Sequence, residues 1–304
     1  MRWLAVLVLV SCYSPRAFES CITSCAATGV CPSGLECFAN LCRVDEAEVC
    51  PPRDAIDPFS DRDMDGIFDI SDLCPDLYHL DNRDHDLDQV GDKCDPCPHL
   101  SKTDPSAPDA DGDGDGVGNG CDPRVTVQGD TQARFVGFYD ANDVVGWSTV
   151  GTWQIGSGIA TASALAHNNA YLESPTQLGA NVAITAAITI REVNTAMLHY
   201  GGVAVRRSGQ NTQGCQLIDG GAAMVRYRVV ENTMDLDSDT PFTGPVLNVS
   251  RVYRHLVQGN AGDCNVDGTV ETRLNAPNRD GRVAIEAGYV TMDVDYVFVV
   301  KMPP

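Results

Sequence analysis

Three runs of alternating aspartate carry the most legible chemistry in this chain: Asp61, Asp63 and Asp65 before Gly66, Asp84, Asp86 and Asp88 before Gln89, and Asp111, Asp113 and Asp115 before Gly116. Carboxylates one residue apart can converge on a single cation if the backbone curls tightly, and a glycine in sixth place permits that turn. The register continues beyond each triplet. Counted from the first Asp, the seventh residue is Ile67, Val90 or Val117, the ninth is Asp69, Asp92 or Asn119, and the twelfth is Asp72, Asp95 or Asp122. Oxygen donors at positions 1, 3, 5, 7 (through the carbonyl), 9 and 12 follow the ligand logic of a Ca2+ loop, so Ca2+ is the expected cofactor. Two departures stand out: Gln89 replaces the turn glycine, at a left-handed cost of roughly 1–2 kcal/mol, and Asn119 replaces a charged ligand.

No amphipathic helix flanks these loops, the twelfth residue is Asp rather than Glu, and Pro75, Pro96 and Pro123 follow closely, all unlike an EF-hand. Over about residues 57–124 the segment instead resembles the thrombospondin type 3 repeat, DxDxDGxGDxCD, with Cys94-Asp95 and Cys121-Asp122 matching its ending. That resemblance implies a calcium-stabilised segment with little core beyond ions and disulfides, and sequential pairing of Cys74 with Cys94 and Cys97 with Cys121. The competing reading is a solvated acidic linker. Residues 51–122 hold 20 Asp, no Glu and 5 Lys or Arg within a whole-chain net charge of -21. The exclusive use of Asp, with Cys at fixed offsets, favours cation sites over a solvating tract and excludes phosphate-rich nucleic acid as a partner.

The chain carries 13 cysteines. After Met1-Arg2 the apolar run Trp3 to Val10 fits the hydrophobic region of a signal peptide and is too short to span a bilayer. Leu9-Val10-Ser11-Cys12 resembles a bacterial lipobox, which implies cleavage after residue 11, a lipidated Cys12, and an outer-membrane or cell-surface lipoprotein held by its lipid alone. A secreted protein with an ordinary leader is the alternative. The remaining cysteines divide evenly by module, as an oxidising compartment allows. Cys21, Cys25, Cys31, Cys37, Cys42 and Cys50 lie in a segment too small to bury a core, a knottin-like or EGF-like module whose connectivity stays open among fifteen. Cys94-Asp-Pro-Cys97 as a zinc site lacks a second pair with matching spacing.

Residues 125–304 change character. Val225, Tyr227 and Val229 alternate with Arg226 and Arg228; Met292, Val294, Tyr296 and Phe298 alternate with Asp293 and Asp295; Val283-Ala-Ile285-Glu-Ala287 is a third such stretch. Period two marks strands half-buried against a partner sheet. Further strands are expected at 134–139, 152–155, 158–162, 182–190, 202–205, 247–257 and 269–274. Ten or more strands without βα alternation predict a two-sheet sandwich. The order of Phe138-Tyr-Asp140, Trp147, Trp153, Gly201-Gly-Val-Ala-Val205 and Gly281-Arg-Val-Ala-Ile285 resembles a concanavalin-like or laminin-G-like jelly roll, in which Cys215 and Cys264 would bridge neighbouring strands or loops.

The expected chain is therefore mainly β: residues 1–11 as signal peptide, 12–50 as lipidated terminus and Cys-rich module, 51–124 as calcium repeats forming a stiffened stalk, and 125–304 as the jelly-roll sandwich. Sandwiches of this type bind glycans or proteins, or hydrolyse polysaccharides with paired carboxylates. No ExDxE-type strand occurs, and Asp293 and Asp295 oppose an apolar face, so no catalytic residue and no turnover are expected. Asp235, Asp237 and Asp239 form a further ladder, read as a loop face, and His167, His199 and His255 lack metal spacing. The expected function is that of a calcium-binding cell-surface lipoprotein, its calcium structural, whose β-sandwich serves adhesion or binds a glycan, matrix or surface protein; a secreted polysaccharide hydrolase, tested at Glu286 or Asp293, and a purely structural envelope spacer are the alternatives.

Overall fold

The computed structural model describes residues 31, 35–38, 41–43, 59–101, 110–167, 169–209, 211–218, 223–230, 233–242, 245–274 and 279–304. Cys12, Cys21, Cys25 and Cys50, and with them the anchor and most of the Cys-rich module, lie outside the described residues. The chain divides into two compact units, residues 1–60 with 68–70, and residues 61–67 with 71–304. In the first, β1 (Glu36–Phe38) pairs antiparallel with β2 (Leu41–Arg43), Cys31 and Cys37 are disulfide-bonded, and Phe59 meets Phe68 edge-on at 5.7 Å.

The second unit is a sandwich of two antiparallel sheets. One runs β12 (Thr233–Pro241), β11 (Ala223–Val230), β10 (Asn211–Ile218), β9 (Tyr200–Ser208), β16 (Arg282–Gly288), β7 (Ala170–Glu173) and β4 (Ser148–Val150). The other runs β15 (Thr269–Leu274), β14 (Ala261–Val266), β13 (Ser250–Gln258), β8 (Val182–Val193), β17 (Val290–Lys301), β6 (Ile159–Ser163) and β5 (Thr152–Gly156), with β3 (Thr131–Val136) also paired to β17. Alternate residues of both sheets interdigitate, among them Leu172, Val203, Leu217 and Ile285 from the first and Ile184, Ile188, Tyr253 and Met292 from the second. Cys215 on β10 and Cys264 on β14, both fully buried, form a disulfide. It joins the two sheets through the core, where sequence suggested a link between neighbouring strands.

Strand β8 is buried on both faces. Its inward set is Val182, Ile184, Ala186, Ile188 and Ile190; its outward Ala183 and Ala187 are also covered. The cover comes from the acidic loops: Cys97, Val117 and Cys121 pack with Ala183, Ala187, Tyr296, Phe298 and Val300 in a second apolar cluster. His99 stacks 4.7 Å from the Tyr296 ring and 4.8 Å from Phe298. Polar ties reinforce the docking, with Tyr139 donating to Asp92 (3.0 Å), Arg83 to Asp140 (2.5 Å) and Asp143 (2.6 Å), and Gln132 to the Asp95 carbonyl (2.7 Å). The second and third loops are thus laid against the sandwich, where the sequence suggested a projecting stalk.

This docking depends on a bulge the alternation did not reveal. Val294 pairs with Ile188 but Tyr296 pairs with Ala187, so Asp295 is an extra residue on β17. Parity inverts there: Met292 and Val294 face the inter-sheet core, while Tyr296 and Phe298 face outward under the loops. The single apolar face expected from Met292 to Phe298 is in fact two. Asp235, Asp237 and Asp239 lie on strand β12 rather than in a loop.

Candidate functional site

The three acidic loops repeat one hydrogen-bonding scheme. The first Asp accepts from the sixth residue's N–H (Asp61 from Gly66, 3.0 Å; Asp84 from Gln89, 2.9 Å; Asp111 from Gly116, 2.8 Å). The fifth accepts from the seventh (Asp65 from Ile67, Asp88 from Val90, Asp115 from Val117), and the twelfth from two residues on (Asp72 from Cys74, Asp95 from Cys97, Asp122 from Arg124). The sixth residue is left-handed in each loop, Gly66 at φ 95°, Gln89 at 75° and Gly116 at 93°, so Gln89 does adopt the conformation that favours glycine. Position four is left-handed too, which places strain at Met64 (65°) and Leu87 (63°) that the sequence pattern does not announce.

The first, third and fifth carboxylates of each loop each offer an oxygen within 4.8 Å of the others. The ninth residues are placed differently. Their backbone N–H groups close each loop onto the residue before it (Asp69 to Ser60, Asp92 to Arg83, Asn119 to Ala110), and their side chains accept from Ser60, from His85 and Tyr139, and from Gly112 respectively. They clamp the loops and do not join the carboxylate clusters. Cys74–Cys94 and Cys97–Cys121 are disulfides, each with Cα atoms 5.7 Å apart, as the repeat resemblance implies.

Several carboxylate oxygens in these loops are buried without a hydrogen-bond donor: Asp61 Oδ1, Asp63 Oδ2, Asp72 Oδ2, Asp122 Oδ2, and both oxygens of Asp86 and Asp113. Burial, followed by Asp88 and Asp84, pushes the Asp86 carboxyl up to about 7. Burial also raises Asp63 and Asp113, while the backbone N–H of Gly116 holds Asp111 below the usual carboxylate range. Uncompensated buried charge of this kind is costly unless a cation or proton neutralises it. The all-oxygen donor set fits a hard divalent ion such as Ca2+.

A second cluster lies on the face of the seven-stranded sheet turned away from the core. Cross-strand register aligns Val150, Tyr171, Glu286, Gly202 and Gln216 in one row, with Ser148, Glu173, Ala284, Ala204 and Gly214 in the next. Small buried residues form the floor, and longer side chains close over it. Arg207 sits at the centre because β9 bulges: Arg282 opposes Arg207 while Ala284 opposes Ala204, and Arg206 takes φ 51°. Gly281 is required there, since a Cβ would lie 2.2 Å from the Arg206 carbonyl carbon. The bulge brings Arg207 onto the carboxylate face while Arg206 turns into the fold, donating to the Ala180 and Gly259 carbonyls at 2.7 Å each.

Arg207 donates through Nε to Glu173 Oε2 and through Nη1 to Glu286 Oε1, both at 2.6 Å. Arg282 holds the other Glu173 oxygen at 2.9 Å, and Gln216 holds the other Glu286 oxygen at 2.9 Å. The guanidinium also lies 3.9 Å from the Tyr171 ring centroid. Burial alone would lower the Arg207 pKa, but Glu286 and Glu173 more than offset it and keep the guanidinium charged. Burial, then Glu286, pushes the Tyr200 hydroxyl up, and the Tyr200 ring lies over Gly288, where a Cβ would meet it at 2.3 Å. Among the described residues two arginines face two glutamates, and the cluster presents fixed donors and acceptors. A cleft of about 560 Å³ elsewhere on the sandwich, lined by Asn181, Gln258, Asp280 and Lys301 among others, has neither paired carboxylates nor an aromatic ring.

Of this cluster, sequence reading singled out Glu286 alone. Glu173, Arg207, Gln216 and Tyr171 carry no local motif and meet only through sheet register. Asp293, the other carboxylate considered for chemistry, lies on the opposite sheet, bonded to Thr161 (2.7 Å) and Arg191 (2.6 Å). Trp147 is in the core and Trp153 packs against it.

No protein-family model matches this chain, and no curated protein matches it. Among solved structures it is similar to carbohydrate-binding module CBM66 from Bacillus subtilis (13% identity, 49% of this chain and 91% of that one, TM-score 0.42). It is also similar to a Bacillus licheniformis β-glucanase (10%, 56% and 98%, 0.44) and to the Crh5 transglycosylase (11%, 56% and 84%, 0.46). The likeness is one of fold: a jelly-roll β-sandwich of the kind found in carbohydrate-binding modules and glycoside hydrolases. The expectation of a chain without turnover is corrected accordingly. The missing ExDxE strand is no argument against turnover when two glutamates, Glu173 and Glu286, meet across neighbouring strands. Among the described residues no helix is long and apolar enough to cross a membrane, and disulfides such as Cys74–Cys94, Cys97–Cys121 and Cys215–Cys264 accord with an oxidising, extracellular setting.

Proposed function

We propose that this chain is an exported carbohydrate-active protein that engages a glycan on the outer face of its seven-stranded sheet. The Arg207 cluster carries the reading. Glu173 and Glu286 offer acceptors to sugar hydroxyls, Arg282 and Gln216 offer donors, and Tyr171 presents a ring beside them, a small polar set next to an aromatic surface. Access lies on the Arg282 and Tyr171 side, where the Arg282 side chain is 38% exposed against 6% for Glu286.

A second reading, hydrolysis of a glycosidic bond, is favoured by the carboxylate pair. Glu173 and Glu286 lie no further apart than one guanidinium and two hydrogen bonds allow, the scale of the roughly 5–9.5 Å separations in glycosidases. Both glutamates are bonded to Arg207, so turnover requires one of them to leave the guanidinium and act as general acid.

The acidic loops are read as Ca2+ sites of the thrombospondin type 3 kind, held by Asp61, Asp63, Asp65 and Asp72, by Asp84, Asp86, Asp88 and Asp95, and by Asp111, Asp113, Asp115 and Asp122, with the carbonyls of Ile67, Val90 and Val117. The ion supplies charge neutralisation there; the residues shape the loop and cover one face of the eight-stranded sheet. Lipidation at Cys12 would place the protein on the outer membrane or cell surface. A glycan microarray with the full chain in Ca2+, followed by a polysaccharide-hydrolysis panel, tests the main reading: binding lost in Glu286→Gln supports it, and a null result in both screens refutes it.

A further inference from the structure

Asp130 belongs to none of the three loops, yet it is fully buried immediately before β3. Asp115, Asp122 and Asp130 each offer one carboxylate oxygen within 4.8 Å of the others. Hydrogen bonds account for only part of this gathering. Arg124 pairs with Asp130 through Nε and Nη2, Asp115 accepts from the N–H groups of Val117, Gly129 and Asp130, and Asp122 Oδ1 accepts from the Arg124 N–H at 2.6 Å. Asp122 Oδ2 is left buried, in a residue only 6% exposed, with no donor to it. Arg124 offsets only one of these three carboxylates, and a buried carboxylate oxygen without a donor is a costly arrangement unless a cation meets it.

We propose that Asp130 is a further ligand of the third loop's cation, so that a single divalent ion joins the acidic loop to the first strand of the sandwich. The inference rests on the reading of the loops as Ca2+ sites and adds a ligand from outside their twelve-residue register. Among the described residues no sandwich carboxylate joins the clusters of the first two loops. The third ion is therefore the one that would take a carboxylate ligand from the β-sandwich side.

The test uses the full chain, with calorimetric Ca2+ titration and thermal unfolding in Ca2+ and in chelator. Asp130→Asn is expected to weaken one site tenfold or more and to shrink the Ca2+-induced rise in unfolding temperature. Arg124→Gln breaks the same ion pair but keeps the ligand, so its affinity should hold or tighten. Equal weakening in the two variants, or none in Asp130→Asn, overturns the proposal. Should Asp130→Asn not fold, Arg124→Gln decides: a retained or tighter site supports the assignment and a tenfold weaker one overturns it. Absence of Ca2+ uptake by the unaltered chain overturns the underlying loop reading as well, and is told apart because no variant is needed to see it.

Discussion

Arg207 joins two nearly buried glutamates, and its removal gives the sharpest energetic test of the sheet-face cluster. The Arg207, Glu173 and Glu286 side chains are 12%, 12% and 6% exposed. Arg207→Met keeps the apolar stem and leaves Glu286 its bond from Gln216 and Glu173 its bond from Arg282. Removing one member of a buried ion pair costs about 3–5 kcal/mol, and these surviving partners place the expected loss near the lower end, about 3 kcal/mol. Guanidinium denaturation at pH 7 in Ca2+ reads that loss. Glu286→Gln in the Arg207→Met background should recover part of the loss. A deficit under about 1 kcal/mol would show that the guanidinium does not hold this face together.

Gln89→Gly should stabilise the second loop by up to about 1 kcal/mol, the left-handed penalty less the added freedom of glycine, read as a higher unfolding temperature; a fall would show that the Gln89 side chain has a role of its own. Burial holds the His99 imidazole down to about 3. The unfolded chain, near 6.5, then binds the proton first, so stability present above pH 6.5 falls as pH drops towards 3, by at most about 1.4 kcal/mol per unit. His99→Phe should flatten that slope, and an identical slope would place His99 in water. Ala187→Arg should lift the loops off the eight-stranded sheet and expose residues 110–124 to limited proteolysis while near-ultraviolet circular dichroism of the core is retained; unchanged protection would contradict the docking.

The acidic loops were legible because their carboxylates recur within one short segment: a twelve-residue register needs no tertiary contact to be seen. The same spacing misled at Asp235, Asp237 and Asp239, since an interval of two is also the period of a strand, and these residues lie on β12. Strands β10 and β14 lack clean alternation in sequence, being interrupted by Gly, Gln and Asn, and only pairing reveals them. Both bulges, at Arg206 and Asp295, were invisible because period-two reading assumes no inserted residue. One of them brings Arg207 to the glutamates, and Arg207 and Glu286 are 79 positions apart. A site assembled by register across four strands leaves no motif, which is why Glu286 was noticed alone and its partners were not.

The central claim is that carbohydrate is engaged on the outer face of the seven-stranded sheet. Its most direct test is a calorimetric titration of the full chain with the strongest ligand from a glycan array, comparing the unaltered protein with Tyr171→Ala, Glu286→Gln and the opposite-sheet control Asp293→Asn. The account predicts at least tenfold weaker binding in the first two variants and unchanged affinity in the third. Unchanged affinity in Tyr171→Ala and Glu286→Gln, with loss in Asp293→Asn, would place the ligand on the other sheet and contradict it.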